Sequence, residues 1–496
     1  MSFTNFNFTK GNIKNHYDSI IIGCGAIGIF AAKELVSRNK RVLIVESGDI
    51  KENYNKQNLN KSIYNRADLS SSIEWGRKRA IGGTTIAWGG QALPFSSSDF
   101  EKEVFVGEQK TVRWPFTKND LSPHYKKVEK YLNVGQIDYN DINQFKIRSN
   151  FSSKFNVHLS KWARNPNMYT KHKRFLNSSQ VEILYNAHCT SVNIFDGFVK
   201  SIKITNDNSK ELTVNCDNLI IATGGVESVR FIHLNFPNAS VHIGCGFMEH
   251  PCIHLGDFDG YQSDLLQKNF GVKMKNFFKY GVRVSLSDDY IKANSLQNAS
   301  FSLMFETPEE DFDFYREAKQ INKVFLSLIK SSNTKKLLKT LTYLVKYRTI
   351  YRPNAKVKLV VMLEQPWDKT NNIKLDNSET DIYNQPKMNI NWTINDKTIK
   401  SLIKVKHDLL KELLINFPSI KFRDNFPDDD YTEKSFSPVN HHMGGASINL
   451  VVDENLKLFG TENVYVYSSS VFLTSSHSNP TLTTLALVDR SIENSF

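Results

Sequence analysis

Two short motifs near the end of the chain carry side chains that could share one chemical task. One is His441-His442-Met443-Gly444-Gly445, and the other begins 38 positions later as Asn479-Pro480-Thr481-Leu482-Thr483. Removing hydride from an alcohol carbon requires one group that takes the hydroxyl proton and another that holds the oxygen. A histidine, which titrates near neutral pH, suits the first role, and a carboxamide suits the second. A histidine and an asparagine in two such motifs, His441 and Asn479, could therefore meet over one reactive surface.

The same motifs also have plainer interpretations. Asn479 followed by Pro480 is typical of a helix start, with Asn as the N-cap and Pro at the first helical position. This interpretation is compatible with a role in a site, because the same residue can begin a helix and face a ligand. Without further context, His441 and His442 would be ordinary turn or core histidines. His442 and His477 receive no predicted role.

A glycine-rich turn at the other end of the chain must position whatever these side chains act on. The motif Gly23-Cys24-Gly25-Ala26-Ile27-Gly28 follows a short apolar run, 19–22, and precedes a predicted helix, 29–38. A second apolar run, 41–46, ends in a carboxylate. This order of strand, glycine turn, helix and strand is the βαβ unit of dinucleotide-binding folds.

Each glycine of this turn has a separate physical function. Gly23 permits a turn that a side chain would block, Gly25 lets backbone N–H groups approach a pyrophosphate, and Gly28 allows close packing of helix on strand. The helix N-terminus then presents its positive dipole end to the phosphates. Glu46, eighteen residues after Gly28, is placed to accept hydrogen bonds from an adenosine ribose. The turn predicts a nucleotide site without distinguishing NAD from FAD.

Composition excludes several other classes of protein. Hydrophobic residues make up 40% of the 496 residues, which is enough for a sizeable core. The sequence contains no run of the ~18 apolar residues that a membrane-spanning helix needs, and the polar N-terminus lacks a signal-peptide core. The five cysteines, Cys24, Cys189, Cys216, Cys245 and Cys252, form no C-x-x-C pair and predict neither zinc nor disulfides. These features predict a cytoplasmic protein.

The net charge of +12 is concentrated in one segment, 316–358, which has twelve Lys or Arg against the single acid Glu317, a local net of +11. A role in coating nucleic acid is therefore poorly supported. Apolar residues recur at helical spacing over 321–329 and 337–345, with lysines on the opposite faces. The pattern favours either a core-facing helix pair with a solvated basic face, or a surface for anionic lipid or a phosphorylated substrate. In the second case the protein would lie peripherally on the inner face of the membrane.

Periodicity outlines the rest of the chain. Residues 51–80 are polar and predicted to be a long surface excursion, and no internal repeat is present. Helices are predicted at 121–132, 398–414 and after Pro480, and strands at the following places: 181–184, 201–214, 218–221, 356–364, 387–393 and 463–466. Residues 201–214 alternate, and 218–221 form a run of the buried type. From about residue 256 the pattern changes to alternation, and the strands at 356–364 and 387–393 are predicted to be antiparallel.

An ordered set of motifs resembles the glucose–methanol–choline (GMC) oxidoreductases. Four blocks carry the resemblance: 17–46, Gly82-Gly83-Thr84-Thr85-x-x-Trp88-Gly89-Gly90, Gly244-Cys245-Gly246-Phe247-Met248-Glu249-His250-Pro251, and the two C-terminal motifs. Smaller landmarks at 364–366, 371–373 and Asp396 fit the substrate domain of that family. The resemblance spans nearly the whole length. It implies an α/β fold, α+β overall, with an FAD-binding, glutathione-reductase-type Rossmann domain and an inserted substrate domain on an antiparallel sheet.

The resemblance also assigns residues to roles. His441 matches the family's catalytic histidine, the first residue of its H-x-x-G motif, and Asn479 matches the partner position, with the spacing most like that of cholesterol oxidase. A helix N-terminus beside the flavin would stabilise its reduced ring. Together with the nucleotide turn, the resemblance implies flavin contacts from these residues: Gly23, Gly25, Ala26, Ile27, Gly28, Glu46, Gly82, Gly83, Thr84, Thr85, Trp88, Gly89, Gly90, Cys189, Thr223, Gly224, Ser468, Ser469, Pro480 and Thr481.

Two departures from the family pattern affect how FAD would be held. Relatives with covalently attached flavin have a histidine at the place of Ala87, and alanine has no nucleophilic nitrogen, so FAD is predicted to be non-covalent. The usual Asp and Pro are replaced here by Ser468 and Leu473, which changes local detail near the phosphate–ribityl region. No metal site is predicted.

The predicted FAD-binding domain comprises 1–115, 180–255 and 437–496, and the substrate domain comprises 116–179 and 256–436. The predicted activity is oxidation of the CH–OH group of an alcohol by hydride transfer to flavin N5, followed by reoxidation by an acceptor that the sequence does not identify. A sugar or polyol derivative is the first substrate class, and a lipid or sterol alcohol at a membrane surface is the alternative. A non-redox lyase on the same scaffold, a NAD-dependent dehydrogenase and a non-catalytic, membrane-bound flavin protein are the competing classes.

Overall fold

The computed structural model describes residues 3–8, 13–107, 110–148, 150–308 and 331–496. Its strands, numbered along the chain, are β1 (Phe3–Asn5), β2 (His16–Ile22), β3 (Val42–Glu46), β4 (Ile63–Tyr64), β5 (Gln91–Ala92), β6 (Val104–Phe105), β7 (Thr111–Val112), β8 (Phe155–Trp162), β9 (Val181–Tyr185), β10 (His188–Phe195), β11 (Phe198–Thr205), β12 (Glu211–Ile221), β13 (Cys252–Phe258), β14 (Lys273–Lys275), β15 (Phe278–Leu286), β16 (Ala299–Glu306), β17 (Lys356–Leu363), β18 (Asn372–Thr380), β19 (Pro386–Asn391), β20 (Phe422–Asp424) and β21 (Val464–Val466).

The helices of the same residues are α1 (Ala26–Ser37), α2 (Tyr54–Gln57), α3 (Ser97–Glu101), α4 (Lys118–Leu132), α5 (Met168–Lys171), α6 (Lys173–Leu176), α7 (Gly225–Asn235), α8 (Ser263–Phe270), α9 (Asp288–Asn294), α10 (Ser331–Tyr347), α11 (Asp396–Asn416) and α12 (Pro480–Ser495). The predicted helices and strands outside the basic segment therefore exist, with ends shifted by a few residues.

The first large sheet is the nucleotide-type sheet. Its strand order is β1-β9-β3-β2-β12-β11-β10, with β21 also paired to β12. Pairing is parallel from β1 through β12 and to β21, and antiparallel for β11 and β10. Residues 20–22 and 42–45 are buried, as expected where helices cover both faces of a parallel sheet. The glycine turn joins β2 to α1 at the carboxyl ends of these strands.

Strand β12 corrects one detail of the predicted pattern. The sequence suggests that strands end near residue 214 and that a separate buried strand covers 218–221, but β12 is a single strand. Its first half pairs antiparallel with β11, and its second half pairs parallel with β2 and β21. The periodicity changes within one strand because its neighbours change along its length.

The second large sheet is antiparallel. Its order is β20-β13-β17-β16-β15-β8-β5, with β14 also paired to β15. Alternate residues of its central strands, such as Leu159, Val282 and Phe301, are buried and apolar, and helix α8 packs against β15 and β16. Residues in the opposite register are mostly polar, including Ser160 and Arg283, and their face borders the cavity described below.

Helix α12 ties the two ends of the chain together. It packs against α1 and α4, and the buried His124 of α4 lies 2.8 Å from a carboxylate oxygen of Asp489 in α12. Helix α4 belongs to the predicted substrate segment but contacts a helix of the predicted FAD-binding segment. The division into two domains therefore stays a prediction.

The prediction that residues 51–80 form a long surface excursion is wrong. Leu59, Leu69 and Ile73 are buried, and so are several polar side chains of the same stretch. These polar groups are buried because they bond to one another: Arg79 Nε donates to Asn60 Oδ1 at 2.7 Å. The composition is polar, yet the segment is a wall of the cavity because its polar groups have partners inside the protein.

The basic segment is described only in part. The prediction for 321–329 lies outside the described residues. The pattern over 337–345 falls on helix α10, but Leu338, Leu341 and Val345 are 64%, 47% and 81% exposed. A core-facing position for these three residues is therefore wrong. Among the described residues, no helix combines the length and apolar character that crossing a membrane requires.

Candidate active site

The glycine turn and the two C-terminal motifs meet at one cavity of about 740 Å³. His441 and Asn479 both line it. Every residue predicted to contact a flavin also lines it, with the exceptions of Gly28 and Gly82. Segments that are hundreds of residues apart in sequence therefore converge on a single concave surface.

Glycines give this cavity room for an extended, negatively charged group. A Cβ on Gly25 would have only the Cα of Gly83 within reach, at 3.9 Å, and a Cβ on Gly224 would meet nothing within 4 Å. A side chain at either position would therefore occupy the cavity itself. Gly25 is the N-cap of α1, so free N–H groups at the helix N-terminus can receive a phosphate.

Gly28 and Gly82 act behind the cavity rather than in it. A Cβ on Gly28 would lie 2.0 Å from the carbonyl oxygen of Gly23, so glycine is required for α1 to pack against the turn. Gly82 has φ of 97°, and its N–H donates to the carbonyl oxygen of Cys24 at 2.8 Å. Both residues shape the loops that carry the lining glycines.

Glu46 lies at the end of β3, facing the cavity. Its two oxygens accept the backbone N–H groups of Cys24 at 2.8 Å and Gly48 at 2.7 Å. Burial raises its pKa above the usual range, and these two hydrogen bonds act in the opposite direction. Each oxygen keeps a second lone pair, so the carboxylate can still accept a hydroxyl from a bound nucleotide.

Sequence reasoning missed the arginines of the cavity wall. Arg77 and Arg79 line the cavity and lie 3.5 Å and 2.7 Å from the carboxylate of Glu227. Burial alone would raise the pKa of Glu227, but Arg79, Arg230 and Arg77 together lower it to about 2. This buried group keeps a net positive charge beside the nucleotide-type turn. The polar composition of 51–80 concealed it.

The predicted base and anchor are neighbours. Nδ2 of Asn479 lies 3.0 Å from Nε2 of His441. Asn479 is the N-cap residue of α12, but its side chain makes no capping hydrogen bond. Its Oδ1 is buried without a partner among the described residues. The helix-start interpretation is therefore correct for the backbone alone, and the carboxamide faces His441.

A third histidine, His250, fixes the proton of His441. Nε2 of His250 lies 3.0 Å from the carbonyl oxygen of Ser475, which can only accept, so this nitrogen carries hydrogen. Burial lowers the pKa of His250 to about 4, so the ring is neutral and its Nδ1 has a lone pair. Nδ1 of His441, 2.9 Å from it, is then the donor. The lone pair of His441 is consequently on Nε2, the nitrogen that faces Asn479.

The electrostatic environment keeps His441 unprotonated. Burial lowers its pKa well below the usual value, and His250, Arg283 and His442 lower it further. An unprotonated imidazole is the form that can receive a proton.

The other histidines of the motifs point elsewhere. Nε2 of His442 lies 3.0 Å from the hydroxyl of Ser72, although its ring also borders the cavity. Both ring nitrogens of His477 are buried without a hydrogen-bond partner in the described part of the chain. The sequence predicts no role for His250, although the Glu249-His250-Pro251 motif that contains it was a signal for its place beside His441.

Three further predicted residues, Cys189, Ser468 and Ser469, also line the cavity. Ser468 bonds to the hydroxyl of Ser470 at 2.5 Å, and Ser469 donates to the carbonyl oxygen of His442 at 2.6 Å. The thiol of Cys189 is buried, and burial raises its pKa, so it is an un-ionised packing group. A flavin nucleotide fits these residues. The cavity contains the N-terminus of α1, where a phosphate can bind, and the hydrogen-bonded side chains of His441 and Asn479.

Comparisons with known proteins agree with this arrangement. Residues 368–487 match the family model described as GMC oxidoreductase. The 6'''-hydroxyparomomycin C oxidase of Streptomyces lividus is 32% identical over 134 residues, which cover 25% of this chain and 24% of that protein. The sinalpyl alcohol oxidase Nec3 of Nesocodon mauritianus is 40% identical over 57 residues, or 12% of this chain and 10% of that protein. The matched stretches thus span a quarter or less of these relatives.

Similarity of fold extends over the whole chain. The crystal structure of pyridoxine 4-oxidase from Mesorbium loti superposes with a TM-score of 0.57 and 12% identity, covering 96% of this chain and 99% of that one. At this identity the likeness concerns the fold, an FAD-binding Rossmann-type domain combined with an antiparallel sheet. Together with the family match over 368–487, these comparisons indicate the GMC oxidoreductases, a family of FAD-dependent flavoproteins.

Proposed function

We propose that this protein is an FAD-dependent oxidoreductase that oxidises the CH–OH group of an alcohol, with His441 as base and Asn479 as oxygen anchor. The observation that carries the proposal is the 3.0 Å approach of Asn479 Nδ2 to the lone-pair nitrogen of His441 beside a cavity lined by the nucleotide-type glycines. A base and a hydrogen-bond donor that converge on one point are what an alcohol oxygen requires.

The residues that would hold FAD are among those that line the cavity. The N-terminus of α1 and the open faces of Gly25 and Gly224 would receive the phosphates, and Glu46 would accept a ribose hydroxyl. When bound, FAD supplies the two-electron acceptor for the hydride of the alcohol carbon.

The chain's own side chains handle the proton and the oxygen. A substrate hydroxyl that replaces the N–H of Asn479 at Nε2 of His441 would donate its proton there, while its oxygen accepts an N–H of the same carboxamide. His250 holds the hydrogen of His441 on Nδ1, so Nε2 remains the basic atom. His441 and Asn479 are half-buried at the cavity wall, so both can contact the substrate oxygen and orient it.

A sugar or polyol derivative is the proposed substrate class. Support comes from the polar face of the antiparallel sheet above the site, where Ser160 and Gln91 offer hydrogen-bonding groups, and Gln91 lines the cavity. The names of the two curated relatives, which describe oxidases of a hydroxyparomomycin and of an alcohol, agree with a small hydroxylated substrate.

Non-covalent attachment of the FAD is part of the proposal. Ala87 lines the cavity next to Trp88, and its methyl group cannot bond to a flavin. Acid precipitation of the purified protein should leave all flavin in the supernatant. Flavin that stays with the precipitate after washing would contradict this part of the proposal.

An anaerobic screen of alcohols, sugars and polyols tests the reaction itself. A substrate should bleach the visible absorption of the bound flavin in a single turnover, and the carbonyl product should appear in equal amount. A lyase would consume its substrate while the flavin stays yellow. If no member of a broad panel bleaches the flavin, and dithionite does, the proposed oxidation is wrong.

A further inference from the structure

One arginine of the antiparallel sheet, Arg283, lies behind the cavity residue Gln91 and has no acidic partner within 4.0 Å among the described residues. Arg283 of β15 is opposite His158 of β8, and Gly281 is opposite Ser160. Directly opposed residues of antiparallel strands share a face of the sheet. This is the face that carries Trp162, which lines the cavity.

The contacts of Arg283 are to neutral groups. Nη2 donates to Oε1 of Gln91 at 2.9 Å, and Nη1 donates to the hydroxyl of Ser300 at 3.2 Å. Its Nε is buried without a partner in the described part of the chain. Gln91 itself lines the cavity, and Arg283 is close enough to His441 to lower the pKa of that ring electrostatically.

Other buried arginines of the chain do have carboxylates. Arg77 and Arg79 share Glu227, and Arg230 contacts both Glu227 and Asp381. Among the described residues, no carboxylate lies within 4.0 Å of Arg283. Burial lowers its pKa only to about 10, so the guanidinium is charged at neutral pH. Arg283 is half-buried, and a cation partly withdrawn from water without a counter-ion is unfavourable unless a ligand supplies one.

Two buried acids of this region, Asp99 and Glu249, bond to other groups. Asp99 accepts hydrogen bonds from Ser96, Ser476 and Asn298 and has Lys102 at 4.0 Å. Glu249 accepts the backbone N–H groups of two histidines and the hydroxyl of Ser72. Neither carboxylate is free to neutralise Arg283.

Further unsatisfied groups surround the same arginine. Nε2 of His158 and both ring nitrogens of His477 are buried without partners in the described ranges. His158 lies directly opposite Arg283 in the sheet, and the ring of His477 lies 5.9 Å from the ring of His158. Burial lowers the pKa of His158 to about 4 and that of His477 to about 3. The rings are therefore neutral hydrogen-bonding groups.

We propose that Arg283 binds a carboxylate of the substrate, so that the enzyme acts on hydroxy acids: polyols or sugars that carry one carboxylate. This inference rests on the proposed function and specifies its substrate class. The planar guanidinium matches a carboxylate through two parallel N–H···O bonds. A single positive charge balances a single negative one, whereas a dianionic phosphate would need a second cation.

Matched pairs of acid and neutral alcohol test the proposal on the holoenzyme. The pairs are glycolate with ethylene glycol, gluconate with sorbitol, and glucuronate with glucose. Binding is read from perturbation of the flavin spectrum by each compound, and turnover from anaerobic bleaching. In at least one pair, the acid should bind about 10- to 100-fold more tightly than its neutral partner, as expected for a charge-assisted hydrogen bond to a buried site.

Substitutions then assign the effect to this residue. Arg283→Gln should remove the preference for the acid by the same 10- to 100-fold and leave binding of the neutral partner unchanged. Arg283→Lys should retain part of the preference, because lysine keeps the positive charge but cannot form two parallel N–H···O bonds to one carboxylate. Arg423→Gln is the matched control, since Arg423 lies on β20 of the same sheet with its side chain 79% exposed. It should behave as the unmodified enzyme.

The possible outcomes separate the two proposals. Equal binding of acids and neutral alcohols by the unmodified enzyme overturns the carboxylate site, whether or not Arg283→Gln folds. A loss of flavin content and melting temperature in Arg283→Gln, with no change in discrimination, makes the residue purely structural and also overturns it. Acid binding that depends on Arg283, without bleaching by any compound, supports the site and contradicts the oxidation.

Discussion

Oε1 of Glu249 lies 2.7 Å from the backbone nitrogen of His441, which is 192 positions further along the chain. The same oxygen accepts the backbone N–H of His250 at 3.0 Å. One carboxyl group therefore holds the two segments that carry the base and its hydrogen-bonding partner. Burial raises the pKa of Glu249 to about 7, and the hydrogen bonds that it accepts act in the opposite direction.

Substitution of Glu249 should separate geometry from charge. Glu249→Gln keeps an oxygen that can accept both N–H groups, and we expect turnover within about tenfold of the unmodified enzyme. Glu249→Ala leaves buried N–H groups unpaired, which costs about 1–3 kcal/mol of unfolding free energy and displaces His441. Chemical denaturation and single-turnover bleaching measure both effects. Equal activity of the two variants would show that this carboxyl group does not position the site.

His441→Ala removes the proposed base. Loss of a general base lowers the rate constant by about 10²–10⁴-fold, and we expect this in anaerobic bleaching while the flavin-to-protein ratio is unchanged. The control is His407→Ala, because His407 has an exposed side chain that contacts Asp429 on the surface. Full activity of the His441 variant would exclude the mechanism.

His250 should act through the tautomer of His441. His250→Asn can place a carboxamide oxygen near the position of Nδ1 and still accept the hydrogen of His441, so it should keep more activity than His250→Leu. In the leucine variant, we expect the acid limb of the pH–rate profile to move together with the fall in rate constant. If both variants lose stability and neither changes the pH–rate profile, His250 acts only by packing.

Two glycines of the same turn should give opposite phenotypes. Gly25→Ala adds a methyl group whose nearest neighbour is 3.9 Å away, so the protein should fold but bind FAD at least about tenfold more weakly, since the methyl occupies the cavity. Gly28→Ala places its Cβ 2.0 Å from a carbonyl oxygen, and overpacking of this kind costs about 1–3 kcal/mol or more. Melting temperature and FAD titration distinguish the two results. Similar behaviour of both variants would contradict the assigned roles.

Lowering the pH should destabilise the fold at pH values that are still above the usual pKa of carboxylates. Burial lowers the pKa of buried histidines to values of about 4 for His158, His188 and His250, and about 3 for His442 and His477. In the unfolded chain these rings take up protons below about pH 6.5, whereas the folded ones do not, so stability falls as pH decreases from 6.5 towards 4. The cost is about 1.4 kcal/mol per pH unit for each ring.

Glu249 contributes in the opposite direction over the same window, because its raised pKa favours the folded state as the pH falls towards 4.5. The histidines outnumber it, so the net slope should keep its sign. Urea denaturation at several pH values measures this slope. A flat stability profile between pH 6.5 and 4.5 would contradict the buried, neutral state of these rings.

Sequence reasoning succeeded where the signal is local. The parallel strands are short apolar runs, and the glycine turn has a fixed spacing, so the nucleotide unit and its lining residues were predictable. The surface assignment of 51–80 failed because composition does not show that Arg79 and Asn60 satisfy each other inside the protein. Arg283 has no local signature, since its neighbours Gln91 and Ser300 come from distant strands. Only the structure shows that no carboxylate of the described residues lies within 4.0 Å of Arg283.

Strand β21 has a consequence for the order of biosynthesis. It inserts beside β12, and the residues that follow it supply Ser468, Asn479 and the start of α12 to the cavity. The ribosome makes these residues more than 400 positions after the glycine turn. We therefore expect a nascent polypeptide that ends before residue 481 to lack part of the flavin-binding surface and to expose the edge of β12 that β21 covers.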